Sequence, residues 1–343
     1  MAIRWGICSA GMISHDFLVA LSTLPPEDHQ VVAIGSRDLT RSQEYAKKHG
    51  ILRAYGSYEE LAQDPEVDIV YVGSVHPQHH RLTILFLQAQ KNVLCEKPLA
   101  MNAAEVRDMI RVARQHNVFL MEGFWTRFFP VSEQIRAVLA QKALGDVKIV
   151  QAQLGFPLKD IQRLVDKKLG GGVILDLGCY CVQFASMVFG AERPQSIVAS
   201  GLLHGTGVDE TTAIILNYSG NRQAILNVTM MLKLPGGAVI GGTEGVIEIP
   251  SHMNAPTIMF LKGQRCEWPL PPSPEPLFFE NDMGLRYEAE HVRQCLLKGL
   301  KESPVMPLCE SELIATILDE VRRQIGVFFE GDGSIKGQSR NTK

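Results

Sequence analysis

The 343-residue chain carries 34 Lys and Arg against 37 Asp and Glu, a net charge of −3, with 45% hydrophobic and 21% charged residues. Such a composition builds sizeable cores and excludes a disordered chain. The near-neutral balance gives no electrostatic case for binding nucleic acid, and the length points to about two domains. No apolar run reaches the ~20 residues of a membrane helix. Met1-Ala2-Ile3-Arg4-Trp5 reads as the start of a strand rather than a secretory leader, so a cytoplasmic protein with no membrane partner is expected. Cys8, Cys95, Cys179, Cys181, Cys266, Cys295 and Cys309 are scattered without a CxxC. That argues for free thiols in a reducing compartment, and against a disulfide framework or a structural zinc site.

In chain order, Ile3 to Cys8 is an apolar strand, followed by a Gly/Ser turn and a helix from about Ile13 to Leu24. Gln30 to Ile34 is a second strand, and residues 40–49 form a helix stopped by Gly50. Val67 to Val75 is a strand, 80–90 a helix, Asn92 to Cys95 a strand, Asn102 to His116 a helix and Val118 to Glu122 a strand. Strands alternating with crossover helices predict an N-terminal Rossmann-type, doubly wound parallel sheet over residues 1–124, covered on both faces. After residue 125 the pattern changes. A helix at about Leu175 to Val188 precedes Ile197 to Leu203, Thr211 to Tyr218 and Arg222 to Met230, strands in direct succession with Ser219-Gly220-Asn221 as one turn. Thr257 to Leu261 and Arg265 to Trp268 form a hairpin around Lys262-Gly263. The expectation is an α+β domain over 125–330 with an open, mostly antiparallel sheet. Two helices follow, the last with Leu313, Ile314, Ile317, Leu318, Val321 and Ile325 as a core stripe. Pro269 to Pro276 reads as a semi-rigid loop, and 331–343 as a disordered tail.

The first strand runs into Gly6-Ile7-Cys8-Ser9-Ala10-Gly11-Met12-Ile13-Ser14. Set against G-x-G-x-x-G, only Gly11 holds its glycine, at the place where the backbone must approach a pyrophosphate; Ser9 and Ser14 take the flanking places. With Met12 and Ile13 they open a helix whose first N–H groups suit phosphate. The second strand ends on Ser36-Arg37, where an NAD enzyme carries an acid for the ribose 2′-hydroxyl; Asp38 comes one residue late. A guanidinium there clamps a 2′-phosphate, so NADP(H) is expected as cofactor. The third apolar strand leads to His76-Pro77-Gln78-His79-His80 over the crevice. His76 and His79 are candidates for contact with cofactor or substrate, and without a carboxylate or Cys at ligand spacing no metal is expected.

Glu96-Lys97-Pro98 follows a short strand, and the residue before proline is held extended, which aims Lys97 into the crevice. In the second half Gly170-Gly171-Gly172 precedes Asp176 and Tyr180, four apart and on one face if the segment is helical. Lys97, Asp176 and Tyr180 suit oxidation of an alcohol. The free phenol titrates near 10, so its base form costs ~4 kcal/mol at pH 7. A neighbouring ammonium lowers that cost, and a carboxylate can orient a second hydroxyl.

The motifs Glu96-Lys97-Pro98, Asp176-x-Gly178-x-Tyr180 and Gly242-Thr243-Glu244-Gly245 resemble the glucose–fructose oxidoreductase / inositol dehydrogenase family. Longer runs point to one subgroup over nearly the whole chain. They include Arg4-Trp5-Gly6-Ile7, Tyr55-Gly56-Ser57-Tyr58-Glu59-Glu60-Leu61, Trp125-Thr126-Arg127-Phe128-Phe129-Pro130 and Tyr180-Cys181-Val182-Gln183-Phe184. The resemblance implies NADP-dependent oxidation of vicinal diols: trans-dihydrodiols of aromatic hydrocarbons to catechols, and D-xylose to its lactone. It implies Tyr180 as acid/base, Lys97 tuning it, Arg37 on the 2′-phosphate, Glu96 and Lys97 at the cofactor, and His79, Trp125, Asp176 and Phe279 at the substrate. It further implies a homodimer through the C-terminal sheet. Leu154 and Asn254 stand where that subgroup would carry aromatic pocket residues, and Lys148 and Leu202 where it carries arginines at the dimer contact. The alternatives are an NADPH-dependent sugar or dicarbonyl reductase, and a non-catalytic NADP(H)-binding regulator.

Overall fold

The computed structural model describes residues 2–332 and divides into two compact units. Of the described residues, the first takes in 2–100, 104–129 and 269–311, and the second 101–103, 130–268 and 312–332.

In the first unit six parallel strands form one sheet: β1 Ile3–Cys8, β2 His29–Gly35, β3 Arg53–Tyr55, β4 Ile69–Val72, β5 Asn92–Glu96 and β6 Leu120–Gly123. Their order is β3-β2-β1-β4-β5-β6. The chain reverses its winding between β1 and β4, and the crevice at the carboxyl ends of those strands is where such sheets bind ligands. The connecting helices are α1 Met12–Leu21, α2 Leu39–His49, α3 Tyr58–Gln63, α4 His79–Gln88 and α5 Ala103–His116. Local chemistry sets their ends. Asp38 caps α2 by accepting from the N–H groups of Thr40 and Arg41, and Gly50 stops it at φ 66°. Ser57 caps α3 by accepting from the Glu60 N–H at 3.2 Å. β4 is buried at every residue, as expected of a strand covered on both faces.

The second unit holds an eight-stranded sheet: β7 Val147–Gly155, β8 Ser196–Leu203, β9 Asp209–Tyr218, β10 Arg222–Thr229, β11 Ala238–Gly242, β12 Gly245–Ile249, β13 Ile258–Leu261 and β14 Gln264–Glu267. Its order is β14-β13-β12-β11-β7-β10-β9-β8. Only β7 and β10 run parallel; the other pairs are antiparallel. Asn221 at φ 55° after Gly220 at φ 68° makes the tight β9–β10 hairpin. One face buries Val150, Ala152, Leu154, Leu216, Ala224, Leu226 and Ile240. The other exposes Val198, Ile215 and Ile225, paired across three neighbouring strands. The helices are α6 Pro130–Ala140, α7 Gln162–Val165 and α8 Cys179–Phe189, with α8 against β7 and β10. Two more complete the chain, α9 Leu285–Leu297 in the first unit and α10 Leu308–Ile325, whose residues from Glu312 belong to the second.

Three expectations change. A division near residue 125 is expected; the compact units change over at Phe129/Pro130, and residues 269–311 return to the first unit. They are fastened there by His29–Glu290 at 2.9 Å and by the Arg293–Asp28 ion pair. The stretch Lys167–Phe189 is long and apolar enough to cross a membrane by length and composition, which sequence reading did not anticipate; 94% of its window is buried inside the protein, as in a core helix. The expected disordered tail begins too early. Asp332 is buried and ion-paired to Arg322 at 2.6 Å, and 333–343 lie outside the described residues.

Candidate active site

In the first unit the expected fingerprint sits at the β1–α1 turn. Ser9 adopts φ 88°, the left-handed region that favours glycine, at the place where the fingerprint normally has one. Gly11 is the N-cap of α1, and no side chain caps it, so the first-turn N–H groups of α1 face outward as helix-terminal donors. A Cβ built on Gly11 would meet nothing closer than the Gly73 carbonyl at 3.6 Å. The fold itself therefore tolerates a side chain there, and the glycine keeps open a cradle that a Cβ would fill. Ser14 Oγ is buried at the same turn without a hydrogen-bond partner, and Met12 is half exposed. These residues fit a dinucleotide pyrophosphate.

At the end of β2, Ser36 is buried, its hydroxyl 2.8 Å from Ser42 Oγ and donating to the Asp38 carbonyl. Arg37 is exposed. Asp38 uses one carboxylate oxygen, Oδ1, to cap α2. Two groups that sequence reading missed brace this turn. Arg41 donates to the Ala10 carbonyl at 2.6 Å, and the Tyr45 hydroxyl to the Gly11 carbonyl at 2.9 Å.

His76 is buried in the short turn His76–Gln78 after β4. His79 is fully buried, with Nδ1 2.8 Å from the Pro98 carbonyl and Nε2 2.9 Å from that of Ser74. A neutral imidazole carries one N–H and donates to one of these two carbonyls, which ties His79 to the backbone around Lys97-Pro98 and the end of β4. The Lys97–Pro98 peptide is cis. Glu96 is buried, accepts from the Tyr71 hydroxyl at 2.8 Å, and is pushed upward by burial. Glu122, which the sequence did not flag, accepts from the Leu99 N–H at 2.8 Å; burial pushes its carboxyl up to about 7. Trp125 is buried edge-on to Phe129 at 5.2 Å, and Phe279 is exposed, its N–H donated to Asp16.

In the second unit the three glycines before Asp176 have separate reasons. Gly170 takes φ 72° to close the preceding turn, a Cβ on Gly171 would meet the Leu164 carbonyl, and a Cβ on Gly172 would strike the Asp209 carboxylate. The chain then enters a π-helical turn, Ile174–Gly178, that continues into α8; such turns recur at functional sites. Asp176 lies on the π turn and Tyr180 in the first turn of α8, both buried. Arg163 donates to Asp176 Oδ1 at 3.1 Å. Asp209, on β9, accepts from the Ile174 N–H at 2.6 Å and anchors the start of this turn. Burial pushes its carboxyl up to about 6. A sheet of this order, with an uncapped glycine turn at its switch point, is the arrangement of a dinucleotide-binding domain.

Comparison with known proteins agrees. The family described as an oxidoreductase family with NAD-binding Rossmann fold matches residues 3–124, and the GFO/IDH/MocA C-terminal domain matches 132–248. The chain belongs to the GFO/IDH/MocA oxidoreductase family, and it is an enzyme of the dehydrogenase class. It is 58% identical to a trans-1,2-dihydrobenzene-1,2-diol dehydrogenase of Xenopus laevis, over 96% of this chain and 100% of the relative. To the human protein of that name it is 51% identical, over 97% and 99%. Among solved structures, a 3-ketoreductase from Actinomadura kijaniata in complex with NADP and TDP-benzene superposes with a TM-score of 0.79 at 24% identity, covering 96% of this chain and 100% of the other. At that identity the likeness concerns the fold.

Proposed function

We propose that this enzyme oxidises vicinal diols with NADP+ as hydride acceptor, taking trans-dihydrodiols of aromatic hydrocarbons to catechols and D-xylose to its lactone. The observation that carries the reading is the 51–58% identity, over nearly full length, to proteins named trans-1,2-dihydrobenzene-1,2-diol dehydrogenase. The choice of NADP+ is supported by exposed Arg37 beside an Asp38 already committed to capping α2. When bound, the nicotinamide supplies the hydride acceptor. Ser9, Gly11, Met12 and Ile13 would hold the pyrophosphate, Ser36 and Arg37 the 2′-phosphate, and His76, Glu96 and Lys97 the rest of the cofactor.

Tyr180 is the acid/base. Its phenolate takes the hydroxyl proton in oxidation, and its hydroxyl returns one in the reverse direction. Lys97 lowers the cost of the phenolate. Asp176, steadied through Oδ1 by Arg163, accepts a hydrogen bond from the second hydroxyl and fixes the diol, with Trp125 and Phe279 flanking it. The seven free thiols suit a reducing, cytoplasmic setting. The exposed row Val198–Ile215–Ile225 on β8, β9 and β10 supports a homodimer through this sheet. A panel of benzene dihydrodiol, D-xylose and dicarbonyl compounds, followed by NADPH absorbance in both directions, tests the assignment. Turnover confined to dicarbonyls in the reductive direction would overturn it.

A further inference from the structure

A constellation in the first unit takes no part in the chemistry above. His15 and Asp16 lie in α1, both buried. The Asp16 carboxylate accepts from the Phe278 N–H at 3.0 Å on each oxygen and from the Phe279 N–H at 2.9 Å on Oδ2. His15 Nε2 lies 3.0 Å from the Pro276 carbonyl, and its ring stands edge-on to Phe278 at 5.3 Å. Residues 276–279 belong to no helix or strand, yet two side chains of one helix hold their backbone. The rings this grip presents are not buried by it: Phe278 is 56% and Phe279 44% exposed. A buried carboxylate gripping successive amides contributes strong, charge-assisted bonds. Here that strength fixes a segment whose apolar rings face outward, which hydrophobic burial does not require.

We propose that Asp16 is a positioning residue: by gripping the amides of Phe278 and Phe279 it presets an aromatic edge beside the first turns of α1, against which a ring-bearing diol packs. The proposal rests on the diol-oxidising reading and deepens it, since it makes this segment a selector for cyclic, apolar diols over sugars. Asp282, 2% exposed, lies against Asp16, and its carboxyl is held well above the carboxylate range by burial first and by the Asp16 charge second. Among the described residues no acidic cluster here is arranged to hold a metal ion.

The test compares wild type, Asp16→Ala, Asp16→Asn and Phe279→Ala as full chains with NADP+. It measures amide hydrogen exchange over 276–281 and kinetics with benzene dihydrodiol and D-xylose. In Asp16→Ala the Phe278 and Phe279 amides should exchange about tenfold to a hundredfold faster. KM for benzene dihydrodiol should rise about tenfold with kcat within about threefold, and KM for D-xylose should stay within about twofold. Asp16→Asn keeps one acceptor oxygen and should fall between; it carries the comparison if the alanine variant does not fold. Phe279→Ala should reproduce the KM effect with normal exchange at Phe278. Unchanged exchange overturns the grip. Faster exchange with equal effects on both substrates, or none, overturns the positioning role. Both failures leave wild-type turnover intact, whereas a wild type inactive on every diol would remove the reaction assignment instead and the substrate role with it.

Discussion

Replacing Asp209 by asparagine separates two consequences of one buried carboxylate. Asp209 is 1% exposed and anchors the turn that carries Asp176 by accepting from Ile174 at 2.6 Å. Asparagine retains a carbonyl oxygen for that N–H but cannot ionise. Burial holds the native carboxyl at about 6 against 3.8 in the unfolded chain. Below about pH 3 the group is protonated in both states and contributes no penalty. As pH rises through 6 the fold must either ionise a dry carboxyl or keep a proton the unfolded chain has released, so stability present at low pH is lost. The gap is worth roughly 3 kcal/mol. Equilibrium urea denaturation of wild type and Asp209→Asn at half-unit steps from pH 4 to pH 7.5 measures it. The variant's advantage should be about half a kcal/mol at pH 4, climb most steeply up to pH 6 and level off near 3 kcal/mol by about pH 7. A difference that stays flat across that range would refute the argument, because only a titration confined to Asp209 can give it this shape.

Tyr180→Phe should lower kcat at least about a hundredfold while NADPH still binds, as measured by fluorescence titration; near-normal turnover removes the phenol from the chemistry. Arg37→Ala should cut the NADP-over-NAD ratio of kcat/KM by about 10- to 100-fold, the worth of a charge-assisted bidentate contact. Arg322→Ala leaves Asp319 and Asp332, bonded at 2.7 and 2.6 Å, facing each other without their cation. It should cost about 3–5 kcal/mol in urea denaturation, and a loss under 1 kcal/mol would contradict the buried network. Ile225→Lys should convert a dimer to monomer in light scattering at constant secondary structure, since it sets a charge in the middle of the open sheet face.

The parallel half of the fold was legible because its signals are local and repeated. Continuous apolar runs mark β1, β2, β4, β5 and β6, and Gly50 marks the end of α2 at the residue named. β3 and α3 were missed, although Ser57-x-x-Glu60 carries the signature of a helix start. β3 is three residues of half-buried Arg53-Ala54-Tyr55, too short and too polar at its start to show a period. In the second unit the β9–β10 and β13–β14 hairpins were readable from turn residues, whereas the β11–β12 hairpin was missed. β7 was missed too: it is central and pairs in parallel with β10, reached only after more than sixty intervening residues. The return of residues 269–311 to the first unit was illegible for the same reason. It depends on His29–Glu290 and Asp28–Arg293, pairs that no local pattern announces.

The site divides along that same line. Residues marked by their place in a local pattern could be singled out from sequence as candidates: Gly11 at a helix start, Arg37 after the second strand, Lys97 before a proline, Asp176 and Tyr180 four apart. Residues that act by holding those groups were not, because each works on backbone distant in sequence. Asp209 reaches Ile174, and Asp16 reaches Phe278 and Phe279. Gly172 follows the same rule: a Cβ there would strike the carboxylate of Asp209 on β9, so a run of three glycines that looks like simple flexibility includes a close approach of backbone to a buried acid. Exchanging Gly172 for alanine should therefore disturb the Asp176 turn through Asp209, by the same contact that the asparagine variant leaves in place.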